Sequence, residues 1–516
     1  MKRNLIIVAI LIASFAPKFT VDVKASLNKR LEDFGGNLHA QKQDELRELP
    51  RYVAELMKKL PVTPGLAIAV VHGDKVIFVQ GFGYRDVKAK LPVTAQTGFY
   101  IASTTKSFTG TAAKLLADEG KIDLDAPIKK YFPNLVLKTP LSTEQISLRD
   151  LLTHRSGISN EAINLRTAYT GQYDSDTLIR LLADYSKPIS PDFRYSNIGY
   201  IVAALVTEKA TGESWQKTIE RKILTPLEMN KTTAFASIAQ ASGNFALPYA
   251  VENGSFVELP YKQDNTMHAA GGMISSADDL AKWLIANMNG GKYKGKQVIP
   301  AATLEEILSP QINQNREFYK FKRYAYGLGW NIGTYNGEKF VHCFGEFPGF
   351  RPHVSFMPAH NLGVVVLANE STESFMLPDL IATDIYDFLL QKKPLQVNAN
   401  PKIDEYSADL QMNKEERAKK ATAKLRDRQS VTPSSFELKV YTGTYKNDEL
   451  GQIIISIKDN SLTARFGNLV SSLTPIRGDS FEASFLPGDA NLTFKSDINI
   501  GIKEFTMFGK TFVKVQ

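Results

Sequence analysis

The feature that most constrains the fold is the separation of two groups of strand-forming segments by a long helical middle. Residues 65–80 are rich in β-favouring side chains around Gly73 and Asp74, which is typical of a β-hairpin. Similar segments return only late in the chain, at 327–333, 339–344, 353–357 and 362–368. Since both groups can bury their apolar faces in a shared sheet, this spacing predicts one antiparallel sheet with a mainly helical insertion beside it.

Helical periodicity marks the other elements of the main domain. At residues 104–117 apolar side chains recur at helical spacing, and Gly120 is placed to end the helix. Ser103 therefore stands at the N-terminal edge of this helix. Further helices are predicted at 41–60, 198–211, 277–288 and 374–390.

The length of 516 residues exceeds one ordinary domain. We expect a main domain over 26–390, a Pro-, Asn- and Lys-rich linker over 391–435, and a small all-β domain over 436–516, where short strands alternate with turn residues. Residues 1–25, in which Lys2 and Arg3 precede a short apolar run, predict a cleaved signal peptide. The mature protein is then periplasmic or secreted, without a stable membrane anchor.

The formal net charge of +8 does not predict a nucleic-acid partner. Three units of this excess fall within residues 1–25 and four within 414–428, where a solvated linker accounts for them. The chain has one cysteine, Cys343, which cannot form an internal disulfide. Its 7 histidines are scattered without metal-ligand spacing, so neither a metal nor another cofactor is expected.

The first chemical motif is Ser103-Thr104-Thr105-Lys106, which opens the helix at 104–117. A hydroxyl and an amine three residues apart on a helix lie on one face, within reach of each other. Burial and the positive helix N-terminus can lower the pKa of a lysine until its neutral amine takes the serine proton. The same spacing also occurs at 26–29 and 214–217, and a serine at a helix start can be a simple N-cap.

The second motif, Tyr195-Ser196-Asn197, supplies groups that fit the same chemistry. Tyr195 can relay a proton between Lys106, Ser103 and a leaving group, and Asn197 can hydrogen-bond the acyl side of a substrate. The alternative for Tyr195 is an aromatic residue that packs at a turn. This spacing too occurs elsewhere, at 445–447.

Over roughly residues 65–390 the sequence resembles the class C serine β-lactamases and their relatives among penicillin-binding proteins, D-aminopeptidases and esterases. The two motifs are accompanied by the family-like segments GKIDLD (120–125), LLTHRSG (151–157), PLEM (226–229), GGMIS (271–275) and YGLGW (326–330). The resemblance implies an α/β (α+β) β-lactamase-like fold and an acyl-enzyme mechanism with Ser103, Lys106 and Tyr195 as catalytic residues. Residues 436–516 resemble the lipocalin-like barrels appended to some members.

The third motif of that family is Lys or His, any residue, then Gly, and the resemblance places it on Cys343-Phe344-Gly345. Cysteine stands where relatives place a group that can bind a substrate carboxylate. It is interpreted as a small half-buried strand residue, with a reactive thiol as the alternative. His342 can replace the missing group only if a bulge shifts the strand register, because neighbouring strand residues face opposite sides.

The resemblance also implies an oxyanion hole formed by the backbone N–H groups of Ser103 and Glu346. Together, these features predict a serine hydrolase that acts on a small-molecule or short-peptide amide or ester, such as a D-amino peptide, an ester or a β-lactam. Cys343 and the negative charge of Glu346 weaken the expectation for substrates with a free carboxylate. The alternative is a penicillin-binding-type sensor that acylates slowly or only binds its ligand. The substrate and the oligomeric state stay open from the sequence.

Overall fold

A computed structural model of the chain describes residues 41–428, 434–486, 488–497 and 501–515. The signal peptide expected at 1–25 lies outside the described residues. The chain divides into two units, Met1–Pro50 and Arg51–Gln516. In the first unit, residues 41–45 are helical and Leu46–Glu48 forms a 3-10 turn. The second unit contains every strand described below.

The main sheet has nine antiparallel strands, which confirms the predicted architecture. Its strands are β1 (Gly65–His72), β2 (Lys75–Asp86), β3 (Leu91–Pro92), β12 (Ile312–Phe318), β13 (Phe321–Tyr326), β14 (Asn331–Tyr335), β15 (Glu338–Phe344), β16 (Arg351–Met357) and β17 (Leu362–Ala368). They are ordered β12-β13-β14-β15-β16-β17-β1-β2-β3. The early hairpin and the late strands thus meet where β1 pairs with β17. Both of these strands are buried along their whole length, as expected of central strands.

Shorter strand pairs lie outside this sheet. They are β4 (Phe99–Tyr100) with β9 (Ile274–Ser275), β5 (Ile158–Ser159) with β6 (Lys187–Pro188), β7 (Tyr249–Glu252) with β8 (Ser255–Glu258), and β10 (Lys292–Tyr293) with β11 (Lys296–Gln297). The pair of β4 and β9 comes just before the 3-10 turn that carries Ser103, so it connects the start of this turn to the helical insertion.

The α-helices of the described residues are Leu49–Lys59, Thr105–Asp118, Leu148–Leu152, Glu161–Leu165, Ser175–Tyr185, Ile198–Thr211, Trp215–Ile219, Ala236–Ala241, His268–Gly271, Ala277–Met288, Ala301–Ile307, Leu377–Gln391, Pro401–Arg428 and Leu438–Tyr441. The helices predicted at 198–211 and 277–288 are confirmed with the same bounds. Within the described residues, no helix combines the length and apolarity needed to cross a bilayer.

The YGLGW segment begins with a close backbone contact rather than with the strand predicted at 327–333. Gly329 has a φ of +93°, and a Cβ on it would lie 2.4 Å from the carbonyl oxygen of Lys106. Only glycine permits such an approach at this φ. The loop therefore packs directly on the helix Thr105–Asp118, and β14 starts only at Asn331.

The segment predicted as a linker carries a 28-residue helix, Pro401–Arg428. Its first turns are anchored, because Ile403 and Tyr406 are buried and Lys402 Nζ lies 2.7 Å from Asp384 Oδ1 and 3.0 Å from Asp387 Oδ2. The later turns are exposed over 411–420, which agrees with their uniformly polar sequence. Part of the predicted linker lies outside the described residues.

The C-terminal domain is a closed antiparallel barrel of eight strands. These are β18 (Gly443–Asn447), β19 (Gly451–Lys458), β20 (Ser461–Phe466), β21 (Leu469–Arg477), β22 (Ser480–Phe485), β23 (Gly488–Asp497), β24 (Gly501–Met507) and β25 (Lys510–Lys514). Aromatic side chains, among them Tyr445, Phe466, Phe494, Phe505 and Phe512, are buried and stack against one another. The barrel interior is thus a packed core.

Candidate active site

Ser103 and Lys106 meet at the start of a largely buried helix of the main domain. Ser103 lies in the 3-10 turn Ala102–Thr104, which leads directly into the helix Thr105–Asp118. Lys106 Nζ is 3.0 Å from Ser103 Oγ. The same nitrogen is 2.8 Å from Asn197 Oδ1 and 2.8 Å from the carbonyl oxygen of Ala270. The structure therefore brings together Ser103, Lys106 and Asn197.

The three contacts of Lys106 suit an uncharged amine. Burial lowers the pKa of Lys106 to about 7, because its ammonium form is removed from water. A neutral amine has two N–H donors and one lone pair. The N–H groups can donate to Asn197 Oδ1 and to the carbonyl of Ala270, which leaves the lone pair for the hydroxyl proton of Ser103. In its neutral form, Lys106 can accept the hydroxyl proton of Ser103 in this arrangement.

Tyr195 covers the amine and lies beside the nucleophile. Its ring centroid is 4.9 Å from Lys106 Nζ, and its hydroxyl is near enough to Ser103 for that side chain to oppose the rise of its pKa. Burial of the hydroxyl raises the pKa of Tyr195 to about 12, although 46% of the residue's surface is exposed. Tyr195 thus keeps its proton at neutral pH and can donate it within the site.

Two close backbone segments frame the position above Ser103. Ala102 has a φ of +41°, a strained conformation for a residue with a Cβ, and turns the chain just before the nucleophile. On the other side, a Cβ on Gly345 would lie 2.5 Å from the carbonyl oxygen of Ile101. Glycine at 345 therefore lets Glu346 approach Ser103, and both residues line the same cleft. In the described residues, neither of their amides donates to another part of the chain.

His154, in the LLTHRSG segment, has a position for which the sequence suggested no role. Its Nδ1 accepts a hydrogen bond of 3.1 Å from the backbone N–H of Ser196, and its ring centroid is 4.5 Å from that of Tyr195. Burial, followed by the charge of Lys106, holds the pKa of His154 well below its usual value. The ring is therefore neutral, with its proton on Nε2, and supports the segment that carries Tyr195.

The third motif differs from its expected role in substrate binding. β15 pairs with β14 and β16 without a register shift, so the bulge that would bring His342 into the site is absent from this strand. His342 is fully buried on the opposite face from Cys343, where its ring stacks on Phe344. Strand alternation is the physical reason.

Cys343 lies in the core, only 3% exposed, and does not line the cleft. Burial raises the pKa of its thiol to about 12, although hydrogen bonds with Ser107 and Thr104 oppose the rise. Such a thiol is not reactive at neutral pH, which favours the interpretation of Cys343 as a packed strand residue. The structure thus places neither His342 nor Cys343 in the cleft, whereas Gly345 and Glu346 do line it.

The cleft has a volume of about 670 Å³ and contains several residues that the sequence interpretation did not identify. One wall is formed by the segment around the helix Glu161–Leu165, including Ala168 and Tyr169. The other is formed by the hairpin of β12 and β13. This second wall and its surroundings contribute Phe193, Gln314, Arg316, Phe318, Arg323, Phe344, Arg351 and Phe375.

The hairpin of β12 and β13 was missed because charged and polar residues interrupt its strands. Aromatic residues at 318, 321, 324 and 326 were the available signal. In the described part of the chain, no group of three or more His, Cys, Asp or Glu side chains could hold a metal ion.

Comparisons with known proteins agree with this architecture. A family model described as Beta-lactamase matches residues 51–384, and one described as a domain of unknown function, DUF3471, matches residues 427–515. Protein flp of Staphylococcus aureus is 30% identical over 315 residues, which cover 60% of this chain and 60% of that protein. Unguisins hydrolase ungD' of Aspergillus campestris is 27% identical over 434 residues, covering 80% of this chain and 78% of that protein.

Two solved structures are similar in fold. The octameric penicillin-binding protein homologue from Pyrococcus abyssi has a TM-score of 0.58 at 24% identity, covering 90% of this chain and 99% of that one. The D-amino acid amidase from Ochrobactrum anthropi SV3 has a TM-score of 0.56 at 22% identity, covering 67% of this chain and 98% of that one.

Proposed function

Because the chain belongs to the Beta-lactamase family of serine hydrolases, we propose that it hydrolyses an amide or ester through a covalent acyl-enzyme on Ser103. The observation that carries the proposal is the environment of Lys106. Its Nζ is 3.0 Å from Ser103 Oγ, and its other two contacts are hydrogen-bond acceptors. The presence of an amidase and a hydrolase among the similar proteins supports this class of reaction.

In the acylation step, Ser103 Oγ attacks the substrate carbonyl carbon and its proton passes to Lys106 Nζ. The backbone N–H groups of Ser103 and Glu346 stabilise the oxyanion. The bond to the leaving group then breaks, and the leaving group takes a proton from the hydroxyl of Tyr195. Lys106 returns a proton to Tyr195, so the site is again neutral.

In the second step, water attacks the acyl carbonyl of the ester on Ser103. Its proton passes through the Lys106 and Tyr195 pair to Ser103 Oγ as the carbon–Oγ bond breaks. The products are the free carboxylic acid and the original enzyme. Asn197 holds Lys106 and lines the cleft, where it can also bind the acyl side of the substrate.

The nucleophile is tested by labelling the intact protein with a fluorophosphonate probe. We expect Ser103→Ala to abolish labelling. Ser214→Ala is the matched control, because Ser214 and Lys217 have the same spacing but Ser214 caps the helix Trp215–Ile219. Equal labelling of wild type and Ser103→Ala would remove Ser103 from the mechanism.

A slow-acylating sensor is the second candidate, and it is favoured by the buried, unreactive thiol of Cys343 at the third-motif position. The sensor predicts one equivalent of p-nitrophenol from a p-nitrophenyl ester and no further release. Steady release over many equivalents, absent in Ser103→Ala, would support the hydrolase instead. We also propose export to the periplasm or the medium, which cell fractionation of the full-length protein would check.

A further inference from the structure

Two cleft arginines oppose each other across an edge hairpin of the main sheet. Arg316 of β12 pairs directly with Arg323 of β13, and both side chains line the cleft that contains Ser103. Like charges at directly opposed positions of an antiparallel pair repel each other. Strand pairing does not require either charge, because the hydrogen bonds of the ladder come from the backbone.

Neither of these guanidinium groups has an acidic partner in the described part of the chain. Arg351, the third arginine of the cleft, is different: its Nη2 lies 2.9 Å from Asp379 Oδ2, and its Nη1 donates to the carbonyl of Gly345. Glu161 and Glu346 also line the cleft, but neither forms an ion pair with Arg316 or Arg323. Asp379, which is already paired with Arg351, acts on Arg323 through its charge but forms no direct ion pair with it.

Neighbouring side chains hold both arginines in place. Arg323 Nε donates to Nε2 of the buried His342 at 3.4 Å, and its guanidinium carbon is 4.5 Å from the Phe318 ring centroid. The guanidinium carbon of Arg316 is 5.2 Å from the ring of Phe193. Contacts with aromatic faces orient a guanidinium group without neutralising its charge. The two Nη groups of Arg323 have no hydrogen-bond partner among the described residues.

The arginine pair lies on the Tyr195 side of the cleft. Burial raises the pKa of Tyr195 to about 12, and Arg323 is near enough to oppose that rise. In the proposed mechanism Tyr195 gives its proton to the leaving group. The cations are therefore close to the part of the substrate that departs.

We propose that Arg316 and Arg323 form an anion subsite for the leaving group, and that the substrates are esters or amides whose leaving group carries carboxylates, preferably two, as a C-terminal acidic residue does. The proposal rests on the acyl-enzyme function proposed above. Arginine matches carboxylates in shape and hydrogen bonding, and two unpaired cations match a dianion in charge. Cys343 weakened the expectation for substrates with a free carboxylate. The proposal reverses that expectation, because the positive charge comes from β12 and β13 instead of β15.

The test uses three phenylacetate esters of similar shape. Their leaving groups are 3-hydroxybenzamide, 3-hydroxybenzoate and 5-hydroxyisophthalate, which carry no, one and two carboxylates. For the wild type we expect kcat/KM, followed by release of the phenol, to rise with each carboxylate, by about tenfold or more over the series. Added salt should reduce this preference.

The variants Arg316→Gln and Arg323→Gln should each reduce the ratio of kcat/KM for the dicarboxylate ester to that for the neutral ester, by about tenfold. Arg323→Lys should be intermediate, because it keeps the charge but not the planar fork. Arg465→Gln, an exposed arginine on the barrel, is the matched control and should keep the wild-type ratio.

If Arg316→Gln and Arg323→Gln keep the wild-type ratio of kcat/KM for the dicarboxylate ester to that for the neutral ester, the anion subsite is overturned. The proposed function would remain intact. If the wild type turns over none of the esters, the subsite is tested by binding alone. Calorimetry then measures the binding of 5-hydroxyisophthalate and of 3-hydroxybenzamide. Binding of the dicarboxylate alone, lost in both Gln variants, would support the subsite even where the acyl-enzyme mechanism fails. Absence of binding to the wild type would refute the subsite.

Discussion

At the scale of single residues, the site depends on a lysine that loses its charge near neutral pH. Burial lowers the pKa of Lys106 to about 7, no carboxylate pairs with it among the described residues, and its contacts suit the neutral amine. A protonated Lys106 cannot accept the proton of Ser103. The proposed mechanism therefore predicts that activity falls as the pH drops through the pKa of this lysine.

We expect kcat/KM for a neutral ester to rise with pH and to level off above an apparent pKa of about 7. Tyr195 should not add a second inflection in the neutral range, because burial raises its pKa to about 12. The pH profile from about pH 5 to about pH 9 measures this directly. A flat profile between about pH 6 and about pH 8, with the protein still folded, would exclude Lys106 as the base.

His154 is expected to position Tyr195. His154→Ala removes the acceptor for the part-buried Ser196 N–H, which costs about 0.5–1.5 kcal/mol, and should lower kcat by about tenfold or more with little change in KM. His154→Asn should recover part of kcat, because the amide oxygen can accept the same hydrogen bond and Asn tolerates the φ of +62° at this position. Equal kcat values for the Ala and Asn variants would argue against a role for this hydrogen bond in catalysis. His360→Ala is the control and should keep the wild-type kcat.

At the scale of elements, the end of β15 must approach the 3-10 turn Ala102–Thr104, which carries Ser103. Gly345→Ala would place a Cβ 2.5 Å from the carbonyl oxygen of Ile101 and should push Glu346 away from Ser103. We expect a loss of about 1–3 kcal/mol in stability and a larger loss in kcat than in KM. Gly488→Ala, where a Cβ meets open space, is the control. Unchanged kcat in Gly345→Ala would show that the Glu346 amide is not needed.

At the scale of the whole molecule, the barrel supports one wall of the cleft. Arg166 begins the turn Arg166–Thr170, which carries the cleft residue Tyr169. Its Nε donates to the carbonyl of Glu449 at 3.0 Å, and its Nη2 donates to that of Asp448 at 2.9 Å. These carbonyls lie between β18 and β19, so a buried cation connects the barrel to the cleft wall.

We therefore expect Arg166→Ala to lower Tm by several degrees and to raise KM more than it lowers kcat, because the wall loses its support. Arg180→Ala is the matched control: Arg180 reaches the same carbonyl of Asp448 at 3.3 Å, but from the exposed surface. Thermal unfolding and steady-state kinetics measure both effects. Equal KM values for wild type and Arg166→Ala would show that the barrel does not influence the site.

Much of this protein could be inferred from local patterns. The hairpin at 65–80 and the helices at 198–211 and 277–288 follow from periodicity, and the pairing of Ser103 with Lys106 follows from their spacing on one helix. Such features depend on neighbours along the chain, and these are visible in the sequence. The position of Tyr195 beside Ser103 and Lys106 was implied by the family resemblance instead.

The sequence by itself determined the family, the sheet with its helical insertion, and the candidate nucleophile and base. Only the tertiary structure decided which side of β15 faces the nucleophile helix, that His154 supports Tyr195, and that Arg316 and Arg323 meet in the cleft. The physical reason is that these relations depend on strand register and on the packing of distant segments. Register is set by pairing across strands, so no local pattern reveals it.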